Sequence, residues 1–249
     1  MVGAVKETAF KNGRRVKNRA RGGRPPKALG DVLEALFYRL RNAGPWRDLP
    51  RELGPWETIY GWYQRLARCG VWFRVLAVLT RKVRGKVRLI DGTHMAAHQC
   101  AANPRRDAGP QATGRTRGGR NTKLMVLTDQ RGRAVALKLI PGQAYEGSHV
   151  LELLDKRRGL LVVGDKGFDS DVLRLRLQSA GHKSCFPGKR NRRKKIRLSK
   201  RLYRLRYRVE NFFCRIKRWA CIATRRDKLA AHFLSAIQFA AIIDWLQKG

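Results

Sequence analysis

The sequence predicts a mixed α/β fold, in which a sheet flanked by helices follows a small all-helical region. Two observations predict this order. Apolar residues recur at helical spacing between residues 31 and 81, whereas short apolar runs bounded by turn residues dominate after residue 86. Several of the later runs alternate with helical stretches, as they do in sheets that carry helices on their faces.

The charge balance predicts a polyanionic partner. The chain has 249 residues, with 56 Lys and Arg against 18 Asp and Glu, which gives a net charge of +38. Nucleic acid is the first candidate for this partner, and an anionic membrane surface is the second. Because 43% of the residues are apolar, the chain can bury a core, and wholesale disorder is excluded.

Other features bear on the cellular compartment. The sequence has no uninterrupted apolar run of about 18 residues, the length that a membrane span needs. No apolar stretch follows the first basic residues, as it does in a secretory signal. The five cysteines are scattered without a CxxC pair, so reduced thiols are expected rather than disulfides. We therefore expect a cytoplasmic protein with no membrane partner.

The N-terminal third divides into two parts. Residues 1–27 hold nine Lys and Arg and one acid, which predicts a flexible basic arm. Residues 28–84 predict a helical domain with three helices, at residues 31–42, 55–70 and 71–81. This arrangement is compatible with a DNA-binding helix-turn-helix and equally with a helical packing module, and both interpretations stay open.

Residues 85–249 predict the α/β domain. Short apolar runs predict five strands, at residues 87–91, 124–128, 134–140, 160–163 and 183–186. Helical spacing predicts four helices, at residues 148–158, 170–180, 200–219 and 228–246. Between them, the Gly- and Arg-rich residues 100–122 are expected to form a loop, and residues 188–200 are almost entirely charged.

Isolated acids are the most informative residues in so basic a chain. Asp91 closes one predicted strand and Asp165 closes another, at the rim where α/β sheets place their chemistry. Glu210 is the only acid between residues 188 and 226, among 17 Lys and Arg. Two strand-end carboxylates and a third from a helix can hold divalent cations, and hard oxygen ligands suit Mg²⁺. Two such ions about 3.5–4 Å apart can activate an attacking oxygen and stabilise a leaving one.

The predicted helix around Glu210 carries a narrow polar stripe. At about 100° per residue, Glu210 shares an arc of about 60° with three other polar side chains, Tyr203, Arg206 and Lys217. A surface salt-bridge ladder would be the simplest explanation. The charge imbalance argues against it, because one carboxylate cannot balance so many cations.

These four residues resemble a known signature. The pattern Tyr203-x2-Arg206-x3-Glu210-x6-Lys217 resembles the Y-x2-R-x3-E-x6-K signature of bacterial insertion-sequence transposases, specifically insertion-sequence family five within the DDE transposases. Further segments resemble motifs of that family in the same order, at residues 23–26, 44–50, 90–93, 114–119, 122–123, 164–169 and 223–228. The resemblance covers residues 23–246, and the order of its motifs is specific.

The resemblance implies an RNase H-like catalytic domain with a metal-binding catalytic triad of Asp91, Asp165 and Glu210. It implies Mg²⁺ as the cofactor, with Mn²⁺ as a substitute. The implied reaction is hydrolysis at the ends of the element, followed by attack of a 3′-OH on target DNA. The implied DNA contacts are Tyr203, Arg206, Lys217, Arg115, Arg117 and Lys123.

The same resemblance implies the partners. They are double-stranded DNA, as terminal inverted repeats and as target, and a second copy of the chain in a homodimeric synaptic complex. The expected location is the bacterial nucleoid. Where many relatives have His-Asp after Pro-Gly-Gln, this chain has Tyr145-Glu146, so Glu146 is an accessory candidate for the site.

Alternative interpretations concern single residues and the whole chain. His94, His98 and Cys100 resemble zinc ligands but lack a fourth ligand at suitable spacing. Asp169 and Asp171 are expected to be helix-capping acids rather than metal ligands. A non-catalytic DNA- or RNA-binding protein remains one alternative function. An RNase H-like nuclease that cleaves without strand transfer is the other.

Overall fold

The computed structural model describes residues 27–101, 109–155 and 157–248. The predicted basic arm at residues 1–27 therefore lies outside the described residues, apart from Lys27. Residues 102–108 of the predicted loop lie outside them too.

The three predicted N-terminal helices are confirmed. They are α1 (Leu29–Asn42), α2 (Trp56–Arg68) and α3 (Val71–Thr80). Two 3₁₀ turns, Trp46–Asp48 and Arg51–Leu53, join the first helix to the second. Gly70 makes the sharp turn between α2 and α3, because its φ of 58° is a left-handed conformation that side chains disfavour.

A mixed sheet of seven strands follows. In chain order they are β1 (Val87–Ala97), β2 (Gly114–Thr116), β3 (Gly119–Thr128), β4 (Ala134–Pro141), β5 (Leu161–Val163), β6 (Lys183–Cys185) and β7 (Thr224–Arg225). The strand order is β2-β3-β1-β5-β6, with β4 also paired to β3 and β7 to β1. Strand β3 is antiparallel to β1 and β4, whereas β5 lies parallel to both β1 and β6. All five predicted strands are present.

Strand β1 is longer than predicted. It has eleven residues and continues past Asp91 through Gly92 to Ala97, because β3 pairs with it as far as Ala96 opposite Asn121. The same pairing replaces part of the predicted loop at residues 100–122. There, β2 and the start of β3 form a hairpin that turns at Arg117 and Gly118, and Gly119, the first residue of β3, has a φ of 92°.

Two predicted helices are shorter or interrupted. The helix predicted at residues 148–158 is only α4 (Val150–Leu154), and Asp155 after it has a positive φ of 50°. The helix predicted at residues 200–219 is divided into α6 (Lys200–Tyr203), a 3₁₀ turn (Arg204–Arg206) and α7 (Tyr207–Ile216). The remaining helices are α5 (Asp171–Ser179), α8 (Ala220–Ala223) and α9 (Ala230–Lys248).

The sheet separates two apolar clusters. Successive residues of β1 point to opposite faces, so Leu89 lies in one cluster and Ile90 in the other. Helices α1, α2, α3, α7 and α9 cover the Leu89 face, and α4 and α5 cover the Ile90 face. Helix α9 packs against α2 and α3, so the N-terminal helices share a core with the sheet.

The expected mixed α/β fold, with a helical region before a sheet flanked by helices, is confirmed. The division into domains at residue 84 stays a prediction. Among the helices in the described ranges, none combines the length and apolar character needed to cross a membrane.

Candidate active site

The register of two parallel strands aligns Asp91 with Asp165. Leu89 of β1 is paired with Val163 of β5, and each aspartate lies two residues further along its chain. Neighbouring strands are about 4.8 Å apart, so both residues reach the same edge of the sheet side by side. Asp91 lies two residues after Leu89 in β1, so its side chain points to the same face of the sheet, which α7 covers.

Asp91 is a largely buried carboxylate. Its side chain is 16% exposed, with Oδ1 accepting the Gly92 N–H at 2.8 Å and Oδ2 accepting a guanidinium N–H of Arg206 at 3.1 Å. Burial is the main cause that raises the pKa of Asp91 to about 6, and the nearby charges of Asp165 and Glu146 act in the same direction. The bonds to Gly92 and Arg206 oppose this rise only in part. The charged form of Asp91 is therefore disfavoured mainly by the burial of its carboxylate.

Asp165 begins the 3₁₀ turn Lys166–Phe168. Its Oδ1 accepts the N–H of Gly167 at 2.7 Å, which fixes the carboxylate at the start of the turn. A Cβ at position 167 would lie 2.9 Å from that same oxygen, so only glycine allows this arrangement without movement. At position 164, a Cβ would be 2.9–3.0 Å from atoms of Phe168, Ile90 and Phe186. Both glycines thus let the chain fold tightly around Asp165.

Glu210 joins the site from α7 through Arg206. The guanidinium of Arg206 donates to Glu210 Oε1 at 2.5 Å and to Asp91 at 3.1 Å. Burial alone would lower the pKa of Arg206, but Glu210 and Asp91 raise it above its ordinary value. One guanidinium therefore connects an acid of the helix to an acid of the sheet.

Glu146 is a fourth acid at the site. A Cβ at position 92 would lie 2.7 Å from the Glu146 carboxyl carbon, so Gly92 makes room for this side chain next to Asp91. Lys123 pairs with Glu146 Oε1 at 3.1 Å and donates to the carbonyl of Ala144 at 2.9 Å. The sequence signal for Glu146 was the Tyr-Glu pair in place of His-Asp. Nothing in the sequence linked it to Gly92 or Lys123.

The predicted DNA contacts are spread over the molecule. Tyr203 lies near Arg206, with its ring centroid 6.0 Å from the guanidinium carbon, and Lys217 follows the last turn of α7. Arg115 and Arg117 are exposed on the β2–β3 hairpin. That hairpin begins opposite Ala96, five residues beyond Asp91 on β1, or roughly 17 Å at the usual rise per residue.

Lys123 differs from the other predicted DNA contacts because it is buried. Its side chain is only 9% exposed and is fully engaged by Glu146 and Ala144. The structure thus brings together Asp91, Asp165, Arg206, Glu210 and the Lys123–Glu146 pair, and leaves the hairpin arginines and Lys217 outside this cluster.

The donor atoms of the four acids suit a hard divalent cation, since all of them are carboxylate oxygens. In residues 27–101, 109–155 and 157–248, no three Asp, Glu, His or Cys side chains lie close enough together to hold a metal ion. Glu210 reaches Asp91 only through the guanidinium of Arg206. A divalent cation therefore fits the chemistry of these residues, and its binding by Asp91 and Glu210 together requires Arg206 to move.

Two alternative interpretations of single residues can be compared with the structure. The ring of His94 contacts Asn121 at 3.1 Å, whereas His98 lies 3.1 Å from the Cys100 sulfur. The capping prediction for Asp169 is wrong, because its carboxylate accepts bonds from Arg174, Arg192 and the backbone of Lys189. Ser170 occupies the N-cap of α5 instead, and Asp171 lies in the first turn of that helix.

Two family profiles match the chain. The profile described as "Putative transposase of IS4/5 family" matches residues 12–76, and the profile described as "Transposase DDE domain" matches residues 83–243.

Individual proteins match as well. An uncharacterized protein of Sinorhizobium fredii, y4sN, is 39% identical over 90 residues, which are 36% of this chain and 72% of that protein. A "Putative transposase for insertion sequence element IS6501" of Brucella ovis is 30% identical over 129 residues, which are 51% of this chain and 98% of that protein.

One solved structure is similar in fold. It is the piggyBac transposase synaptic complex with hairpin DNA, which matches 93% of this chain and 69% of its own with a TM-score of 0.52. The sequence identity is 11%, so the likeness concerns the fold alone.

Proposed function

The chain belongs to the DDE transposases of insertion sequences, and from that membership we propose how its residues carry out transposition. It is a polynucleotidyl transferase with an RNase H-like catalytic fold. Members of the family depend on a divalent metal ion. The assignments that follow go further and concern its residues, its metal and its DNA.

The proposed catalytic triad is Asp91, Asp165 and Glu210, with Mg²⁺ as the natural metal and Mn²⁺ as a substitute. The observation that carries this proposal is the aligned register of Asp91 and Asp165, together with the link from Asp91 through Arg206 to Glu210. A raised pKa at Asp91 supports it, because a crowded carboxylate gains most from a nearby cation. Asp91, Asp165 and Glu210 would hold the divalent ions, which would supply activation of the attacking oxygen and stabilisation of the leaving oxygen.

Arg206 has a proposed second role. In this structure its guanidinium balances the charges of Asp91 and Glu210. A guanidinium also binds phosphate oxygens in a bidentate manner. We therefore assign Arg206 to binding the scissile phosphate. Its side chain would turn toward that phosphate once the carboxylates of Asp91 and Glu210 are neutralised by metal ions. Tyr203 supports that side chain, and Lys217 extends the contact along the DNA backbone.

The proposed substrates are the terminal inverted repeats of the element and a target duplex. The chain hydrolyses the strands at the element ends and then directs a 3′-OH onto target DNA. Arg115 and Arg117 contact phosphates from the exposed β2–β3 hairpin. For Lys123, buried against Glu146, a role in positioning that acid fits the structure better than a direct phosphate contact.

Synapsis of two element ends requires two active sites, so we assign a homodimer to the synaptic complex. Residues 28–84 are the proposed domain for recognising element ends, and residues 85–249 the catalytic domain, with the arm at 1–27 as an additional phosphate contact. Because the substrate is chromosomal DNA, we place the action of the protein at the nucleoid in the bacterial cytoplasm.

Assays of cleavage and strand transfer on element-end DNA test these assignments. Asp91→Ala, Asp165→Ala and Glu210→Ala should each abolish both steps while retaining DNA binding, and Mg²⁺ or Mn²⁺ should support the wild type. Glu152→Ala, at an exposed acid of α4, is the matched control and should stay active. Undiminished strand transfer in any of the three variants would remove that residue from the triad. Cleavage without strand transfer in the wild type would favour the nuclease alternative.

A further inference from the structure

A strongly basic segment leaves the sheet beside the catalytic candidates. Residues 188–197, called the basic segment below, contain seven Lys and Arg and no acid. They form neither helix nor strand and begin three residues after β6 ends. None of the assignments above uses this segment.

Strand order places the start of the basic segment at the catalytic edge. Strands β1, β5 and β6 are neighbours and run parallel, so their carboxyl ends meet at one edge of the sheet. Asp91 lies at this edge on β1, and Asp165 follows β5 there. The chain after β6 therefore emerges about one strand spacing, or about 4.8 Å, from the strand that leads to Asp165.

A single buried carboxylate anchors the basic segment. The side chain of Asp169 is 1% exposed, and it accepts bonds from the backbone of Lys189 at 2.8 Å and from Arg192 at 3.0 Å. Arg174 of α5 donates to the same carboxylate through two nitrogens, at 3.1 and 2.9 Å. Burial would raise the pKa of Asp169, but the Lys189 N–H and the two arginines bring it below its ordinary value. The Asp169 carboxylate therefore fixes one end of the basic segment against α5.

The anchoring leaves most of the positive charge free to face outward. Within the segment, the half-buried Arg192 turns toward Asp169 and Asp171. Lys189, Arg190, Arg193 and Lys194 are exposed. All of these side chains except Arg190 line an open cavity of about 350 Å³. Fixing the basic segment in place brings its like charges together, and they repel one another. A segment that served only for solubility would not need to be fixed in this way.

We propose that the basic segment binds the DNA backbone next to the scissile phosphate, and that Asp169 is the positioning residue that holds it there. The inference rests on the proposed function, because it takes Asp165 as part of the reacting site. Backbone phosphates along one strand are spaced about 3.4 Å along the helix axis. A segment one strand spacing from the strand that leads to Asp165 therefore reaches the phosphates that flank the reacting one.

The first test neutralises the exposed charges. Arg190, Arg193 and Lys194 are changed together to Gln, and the Kd for element-end duplex is measured over a range of salt concentrations. The slope of log affinity against log salt should become shallower by about 0.9 for each phosphate that the variant no longer neutralises. These side chains are exposed, so the melting temperature should stay at the wild-type value. An unchanged salt slope would overturn the proposal.

The second test releases the anchor while keeping the charges. In Asp169→Asn, the amides of residues 188–197 should exchange hydrogen faster, and the salt slope should become shallower although no cation was removed. Asp171→Asn is the control, because its side chain is 74% exposed and its pair with Arg192 contributes little. Faster exchange with unchanged DNA affinity would mean that anchoring has no role in binding. If Asp169→Asn does not fold, the triple variant decides alone.

Asp165→Ala separates this proposal from the proposed function. This variant should lose cleavage but keep the full salt slope, since the basic segment is intact. Retained cleavage in Asp165→Ala would refute the assignment of Asp165. The proposal that the basic segment lies beside the reacting phosphate would then be refuted too, even if the segment binds DNA. A shallower salt slope in the triple variant but not in Asp165→Ala would support DNA binding by the basic segment independently of catalysis.

Discussion

At the scale of single residues, the site is a group of acids that the fold holds together against their mutual repulsion. Asp91 is the clearest case, since burial and the neighbouring carboxylates all oppose its ionisation. Such crowding costs stability in the absence of a cation and favours the binding of one. The pH dependence of folding should show this cost.

We expect Asp91→Asn to change the pH profile of stability. The folded-state pKa of Asp91 is about 6, above its ordinary value of 3.8, so the folded protein binds this proton more tightly than the unfolded chain does. The contribution of Asp91 to the free energy of unfolding is fully present below pH 3.8 and is lost as the pH rises through 6. Without divalent ions, the melting temperature of the wild type should therefore fall relative to Asp91→Asn across that window. The difference corresponds to roughly 3 kcal/mol. Parallel curves for the two proteins would contradict the buried, crowded carboxylate.

The Lys123–Glu146 pair offers a second residue-scale prediction. Lys123→Met should lower the free energy of unfolding by about 2 kcal/mol, because it leaves the Glu146 carboxylate, which is only 25% exposed, without its cation. Adding Glu146→Gln should restore much of this loss in a double-mutant cycle. Lys138→Met removes the cation of the more exposed Lys138–Glu152 pair and should cost no more than about 1 kcal/mol. Equal losses of unfolding free energy in Lys123→Met and Lys138→Met would contradict a larger contribution of the Lys123–Glu146 pair to stability.

At the scale of helices and strands, local patterns predicted most elements correctly. Apolar runs located the strands that precede Asp91 and Asp165, because both are buried between two layers of helices. The extension of β1 and the β2–β3 hairpin were missed because neither has a long uninterrupted apolar run. The β1 extension is held in a strand by its pairing with β3, which lies 25 or more residues away in the sequence, and β2 is held by the first residues of β3. The break at residues 204–206 was missed because the apolar stripe of a helix continues through a 3₁₀ turn. Glu146 stayed an accessory candidate because its contacts join residues far apart in sequence.

Gly92 tests how closely β1 approaches the turn that carries Glu146. Gly92→Ala places a methyl group 2.7 Å from the Glu146 carboxyl carbon, so the acid must move away from Asp91. Because the clash is with the end of a flexible side chain, we expect a loss of only about 1 kcal/mol in unfolding free energy, together with weaker strand transfer. Gly118→Ala, where the nearest atom would be 3.9 Å away, is the control. Glu146→Ala in the Gly92→Ala background should recover the stability, and a failure to do so would locate the clash elsewhere.

At the scale of the whole molecule, distant parts of the chain meet at one buried arginine. Arg225 is completely buried and donates to the carbonyl of Gln111 and the hydroxyl of Thr122, both at 2.7 Å. It also donates to the carbonyls of Asp227 and Lys228, both at 2.9 Å. Burial lowers the pKa of Arg225, and the charge of Asp227 partly offsets this. One side chain thereby joins β3, the segment before β2 and the approach to α9.

Replacing Arg225 should affect the fold as a whole. Arg225→Met removes the donor of four hydrogen bonds, two of them buried and two part-buried, and we expect it to lower the free energy of unfolding by about 3 kcal/mol. The adjacent Arg226→Met is the matched control, since Arg226 is exposed, and its effect should stay within about 0.5 kcal/mol. Chemical denaturation measures both. A similar midpoint for the two variants would show that the contacts of Arg225 contribute little.

The packing of α9 against α2 and α3 also sets the order of events during synthesis. The helices made first bury their apolar faces against a helix made about 150 residues later. At about 5–20 residues per second, the ribosome needs roughly 10–30 s to deliver that partner. Until then, the early helices expose apolar surface beside a growing, highly cationic chain that nearby nucleic acid attracts. Native packing of α2 and α3 therefore has to wait for α9, and during that delay the core competes with capture of the nascent chain by the polyanions around the ribosome.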